Sequence, residues 1–275
     1  MKRLLLYGLT FILLSSFVQS DEEVIYPPFY HDSFSPGETI EYRLFFSIFT
    51  VGKAKSIIRN EIYTINGRPS YKIDVFGKTS GLIDWIAQVD DQFGAYLDTA
   101  SLLPHQSYRN LKEGRYRRNE IVRYDHRTRM IEVKELDQET RKFKEPEYFY
   151  SPKRYMFDMF GGLMIMRSVD FDKMQVNDTI STDAFLEDTF YTFKTVYRGK
   201  EVIKTKLGKF RAIVLAPIMP DNDLFEEGED AIKVWLSDDK NKIPLVVKAE
   251  MFIGHAGFEI LSFSGLKNPV SSYVQ

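Results

Sequence analysis

The sequence predicts a mainly β fold: a large curved antiparallel sheet or incomplete β-barrel with one or two short helices on its concave side. Three observations predict it. From Glu38 onward, short β-rich runs are separated by turn signals every 8 to 15 residues, among them Asn66-Gly67, Glu113-Gly114, Arg198-Gly199, Leu207-Gly208 and Gly254, the spacing of antiparallel hairpins. The run 243–253 sets Ile243, Leu245, Val247, Ala249, Met251 and Ile253 on one wholly apolar face, the period of two expected of a half-buried strand. No strand–helix–strand rhythm appears, which argues against a parallel sheet.

Taken in order, the β-branched and aromatic runs between turn signals predict strands at 39–46, 51–63, 70–76, 92–97, 105–111, 115–124, 130–136, 192–197 and 210–217. The run 231–236 sets Ile232, Val234 and Leu236 on one face, and the turn 237–242 closes it into a hairpin with 243–253. Two strongly apolar segments interrupt the strands as helices, a short one at 81–89 and a longer one at 155–167.

On the longer helix, at 100° per residue, Met156, Phe157, Met159, Phe160, Leu163, Met164 and Met166 cover about half of the circumference, with Asp158, Gly161 and Gly162 on the other half. Four of the chain's nine methionines stand there. Methionine is flexible and polarizable, so the stripe suits either a core helix plugging the concave side of a sheet or an adaptable surface that touches lipid. On the second reading Met156, Phe157, Met159, Phe160, Met164, Met166 and Trp235 are the candidate ligand-binding residues.

The chain's 22 Phe, 16 Tyr and 2 Trp among 275 residues are ample for a core. Lys and Arg number 37 against 39 Asp and Glu, a balance that argues against a nucleic-acid partner. The absence of cysteine removes disulfides, thiolate metal sites and thiol nucleophiles together. His31, His105, His126 and His255 lack zinc-site spacing, and no phosphate-cradling or dinucleotide-binding glycine loop occurs. Neither metal nor cofactor is expected, and no catalytic residue stands out, although a glycosidase pair such as Asp91 with Asp183 stays open.

At the start, Lys2 and Arg3 precede an uncharged run at 4–17 and then Val18-Gln19-Ser20, the layout of a secretory signal cut after Ser20. The run rises about 21 Å as a helix, short of the roughly 30 Å bilayer core. The expected layout is a cleavable signal at 1–20 and one β-rich domain at 21–275, with halves at 34–150 and 178–266 on either side of the helix. The protein is then exported, and periplasmic in a Gram-negative source. Two charged stretches remain. Residues 109–129 hold eight Lys or Arg against three acids, and 221–230 hold six acids. The first is expected to be a solvated or edge-protecting face, the second a solvated loop.

Several elements together resemble the exported bacterial family catalogued as domain of unknown function 3108: Phe34, Gly37-Glu38, Tyr42 and Val51-Gly52; Asp158 before an apolar helix ending in Arg167; the run from Thr205 to Phe210; and Trp235-Leu236-Ser237-Asp238-Asp239 with Ile243-Pro244. The resemblance implies a β-rich envelope protein, with no activity to carry over. Gly52 and Gly208 suit bulge or tight-turn positions, Asp238 and Asp239 turns, and Trp235 a core or pocket wall. The function expected is non-enzymatic binding of a lipid or other apolar envelope molecule in the sheet's concavity. An outer-membrane barrel and a carbohydrate-binding or carbohydrate-acting protein are the alternatives. The barrel sits poorly with 115–124, where Arg115, Arg117 and Arg123 face one side and Arg118 and Glu120 the other.

Overall fold

The structure is a computed structural model that describes residues 26–218 and 230–275. The expected signal at 1–20 and most of the acidic run 221–230 lie outside the described residues. Eight strands form an N-terminal meander: β1 (Thr39–Phe46), β2 (Phe49–Ile65), β3 (Arg68–Thr79), β4 (Asp90–Asp98), β5 (Pro104–Glu113), β6 (Tyr116–Asp125), β7 (Met130–Glu135) and β8 (Glu147–Tyr150). Six more form a second: β9 (Thr179–Leu186), β10 (Thr189–Thr205), β11 (Gly208–Ile218), β12 (Ile232–Ser237), β13 (Pro244–Glu250) and β14 (His255–Ser264). β1 pairs antiparallel with β14, so both meanders belong to one mostly consecutive antiparallel sheet with β8 and β9 at its edges. The short β15 (Tyr273–Val274) pairs with β11 at Lys209 and Phe210, outside the stretch that β12 occupies.

Turn chemistry sets these hairpins. Asn66 and Gly67 both have positive φ, at 51° and 73°, as a two-residue turn between twisted strands requires. Gly52 faces the irregularity at Leu44 and Phe45 where β1 and β2 slip register, and a Cβ there would lie 2.3 Å from the Lys78 carbonyl oxygen. The extra residue of that bulge is Val51 on β2, and on β1 Ile40, Tyr42 and Phe45 are buried. The strand expected at 243–253 ends at Glu250, because the chain turns through Met251 to Gly254, and Phe252 and Ile253 are exposed there.

The helices are shorter than expected. The first is one turn, α1 (Leu82–Ile86), with Trp85 93% exposed. The second, α2 (Met159–Ser168), begins four residues later than 155. Asp158 is its N-cap, with an extended backbone and a side-chain Oδ1 that accepts the Gly161 N–H at 2.7 Å; a capping aspartate holds the chain out of the helix up to that point.

What precedes α2 closes the molecule. Phe157 lies parallel to Ala184 of β9, donating its N–H to the Asp183 carbonyl at 2.9 Å and accepting the Phe185 N–H at 3.0 Å. Beside this bridge, Phe185 and Phe190 pack with Val122, Tyr124, Ile131 and Met156. Arg109 meets Glu187 at 2.9 Å, and Arg118 meets Asp188 at 3.3 Å. Phe149 of β8 meets Phe185 of β9 ring to ring at 5.1 Å, so the two edges are joined by this contact, by the reach of β5 and β6 to the β9–β10 turn and by one short bridge instead of a continuous ladder, which makes an incomplete barrel. Part of the basic stretch 109–129 is spent on this seam, whereas Lys112, Arg115 and Arg117 remain exposed.

Candidate functional site

Helix α2 lies against the sheet by one face. Phe160 and Met164 join Phe34, Ile58, Ile73, Leu97 and Leu102 in a buried cluster. Gly161 faces the same way, and a Cβ on it would stand 3.2 Å from the Leu102 carbonyl oxygen and 3.0 Å from the Phe157 ring. The close approach leaves little room for any side chain at 161. Arg167 completes this face, buried beside Glu38 with an Nη1 to Oε1 distance of 2.6 Å.

The other face is not packed. Gly162, Leu163 and Met166 look onto a cleft of about 260 Å³ whose far wall comes from β9 to β12. Strand parity builds that wall: Ala184 and Leu186, Leu215 and Pro217, and Val234 and Leu236 each stand two apart and point the same way. A second cleft, of about 280 Å³, opens on the other side of Met159. Phe93, Tyr108, Val122 and Tyr124 line it together with the charged Arg109, Glu120 and Glu187. Asp158, Met159 and Leu186 border both clefts, and Met159 is 53% exposed.

The sequence-chosen residues therefore divide. Met159 and Met166 line clefts, and Phe160 borders the second while it is held in the core. Met156 and Met164 line neither of these two clefts and are core side chains, each 2% exposed. Phe157 serves the bridge to β9. Trp235 packs on the opposite side of the sheet, against the cluster of Ile40, Phe210 and Leu245, and donates its indole N–H to Glu201 at 2.6 Å. The alternation that points Val234 and Leu236 into the cleft necessarily turns Trp235 away.

Asp158 is the residue that the sequence reading passed over as the helix's polar side. It is 5% exposed, its Oδ1 is used by the Gly161 N–H, and its Oδ2 has no hydrogen-bond partner. Burial pushes its carboxyl up to about 7, against the opposing pull of the Gly161 N–H and of its own backbone N–H. Burial likewise holds the Tyr124 phenol above its ordinary range. Arg109 meets Glu120 at 2.9 Å as well as Glu187, and the Tyr108 hydroxyl is taken by Asp74.

The carboxylates of the glycosidase reading have local partners. Asp91 accepts the Lys112 N–H at 2.8 Å, and Asp183 accepts the Thr192 hydroxyl at 2.5 Å. Both ring nitrogens of His126 face carbonyl oxygens, of Arg154 at 3.2 Å and Pro104 at 2.8 Å. His105 approaches Asp98 at 3.3 Å. Among the described residues, no helix is long and apolar enough to cross a membrane.

Comparison with known proteins follows the architecture. The crystal structure of a β-barrel-like protein of domain of unknown function DUF1849 from Brucella abortus is similar, with a TM-score of 0.53 over 82% of this chain and 96% of that one, at 10% sequence identity. At that identity the likeness speaks for the fold alone. No curated protein matches the chain. A family model spans residues 41–260, from Glu41 on β1 to Ile260 on β14 and across α2 and both clefts, and the chain belongs to that family, the proteins of unknown function DUF3108.

Proposed function

We propose that this chain is a non-enzymatic, exported envelope protein that binds a lipid or other apolar or amphipathic molecule on the concave side of its sheet. The observation that carries the reading is the unpacked face of α2. Gly162, Leu163 and Met166 stand opposite an apolar wall drawn from four strands with a cleft of about 260 Å³ between them, although the same helix is tightly packed on its other side. Cores close such volume because unfilled apolar space is costly, and a concave, mainly apolar cleft with a few polar groups is the usual form of a small-molecule site. Export rests on the charged and then apolar segment at 2–20. A membrane-spanning barrel is less well supported, since such a barrel needs a closed ladder, and here the edges β8 and β9 meet through side chains.

The test is native mass spectrometry of protein released from cells without detergent. The expected result is an adduct of lipid-like mass that is lost on Leu163→Trp, a change that fills the cleft while the variant keeps its fold by circular dichroism. A clean apo mass for the wild type, with no uptake of added fatty amphipaths, overturns the reading.

A further inference from the structure

We infer that the ligand is an amphipath whose head carries a protonated amine, with its apolar tail along the β9–β12 wall and its ammonium against Asp158 Oδ2. This rests on the binding reading above and names the chemistry of the head. The starting point is the position of Asp158 at the junction of the two clefts, one walled almost entirely by apolar side chains and the other carrying charge. Its Oδ1 is satisfied by the helix, whereas its Oδ2 is buried and unpartnered. A buried oxygen without a donor is unusual in a native fold and costs free energy until something donates to it.

The surroundings choose among donors. Facing Asp158 across the second cleft are Tyr124 and Glu120 of β6, Tyr108 and Arg109 of β5, and Glu187 in the β9–β10 turn. Arg109 is the one cation in that lining, and it is already shared by Glu120 and Glu187. Behind it, Arg118 is engaged by Glu120 and Asp188. The Tyr108 hydroxyl is spent on Asp74, and the Tyr124 hydroxyl lies 3.5 Å from that of Ser107. The lining itself thus holds three carboxyl groups, Asp158, Glu120 and Glu187, and one guanidinium, which pairs with the two glutamates and not with Asp158. A carboxylate or phosphate head would meet like charge; an alcohol would supply the missing hydrogen bond but no countercharge. An alkylammonium supplies both, and its apolar chain matches the floor that Leu215, Val234 and Leu236 provide.

The test is isothermal titration of the full chain with decylammonium, decanol and decanoate, each below its micelle threshold, at about pH 8.5 and about pH 5.5. At the higher pH, with Asp158 ionised, decylammonium is expected to bind about tenfold or more tightly than decanol. That advantage shrinks at the lower pH as Asp158 takes up a proton, while decanol binding stays level. In Asp158→Asn, which keeps a good N-cap residue, the advantage disappears at both pH values and decanol affinity remains. Equal affinities for amine and alcohol in the wild type, tighter binding of decanoate, or an amine advantage that survives in Asp158→Asn overturns the head-group inference and leaves the cleft reading standing. If none of the three probes binds, both fall. The comparison of amine with alcohol in the wild type decides the matter even if the variant does not fold.

Discussion

Arg167 at the end of α2 and Glu38 just before β1 form a two-point ion pair inside the protein, Nη1 to Oε1 at 2.6 Å and Nη2 to Oε2 at 2.8 Å, across 129 positions of sequence. The remaining guanidinium donors reach the Asn241 carbonyl at 3.0 Å and the Ser33 carbonyl at 3.2 Å. One side chain thus ties the helix to the start of the first meander and to the loop before β13.

Removing one partner leaves the other buried without its countercharge. Glu38→Gln and Arg167→Met are each expected to cost about 3 to 5 kcal/mol, measured by urea denaturation. The double variant should recover part of that loss but not all, because the Asn241 and Ser33 carbonyls then lose their donor. Additive losses in the double variant would show that the pair is not coupled.

Asp158 makes stability depend on pH. Its folded-state carboxyl is raised from 3.8 to about 7 by burial, so between about pH 4 and 7 the native state holds a proton that the unfolded chain has released. The stabilisation is full below the unfolded value and is lost as pH rises through the folded one, a decline on the order of 4 kcal/mol. Asp158→Asn should flatten this decline in chemical denaturation curves taken across that window. A wild type whose stability does not fall relative to the variant over that range contradicts the assignment.

The methionines of α2 separate by face. Met164→Ala removes a fully packed side chain and is expected to cost about 2 to 5 kcal/mol. Met166→Ala, bordering open volume, should cost about 1 kcal/mol or less. Thermal melts of the two apo variants make the comparison, and similar losses would mean that the cleft is closed in solution.

Processing gives a fourth expectation. Cleavage after Ser20 sets the mature N-terminus at Asp21, and intact mass of the exported protein reads it directly. A mass that retains residues 1–20 removes the argument for export.

Much of the sheet was readable in the sequence because local chemistry dictated it. The bounds of β1 follow from its run of alternating residues, and Asn66-Gly67 announces the β2–β3 hairpin. β9 was missed because its turn to β10 is Glu187-Asp188, both with positive φ, at 50° and 61°. Glu187 does not signal that conformation as glycine, asparagine or aspartate would, and the pairs with Arg109 and Arg118 that accompany the turn come from the distant β5 and β6. β14 was missed as well, since Gly257 and Glu259 interrupt its pattern. In the site, the stripe of methionines was visible, but which of them face open space depends on where β9 to β12 lie. Asp158 read as part of the helix's polar side and nothing more, because both its cap bond and a free Oδ2 are properties of the packed fold.

The bridge at Phe157 has a meaning for the protein in a crowded compartment. An uncovered β9 would offer its backbone groups to any neighbouring chain with a matching strand, and two hydrogen bonds from one residue occupy the C-terminal half of that edge. Protection of that edge is thereby tied to a segment only a few residues long that also leads into the helix over the clefts. Phe157→Pro, which removes the N–H given to Asp183, would free part of the edge for pairing between molecules, and the first symptom would be self-association instead of unfolding.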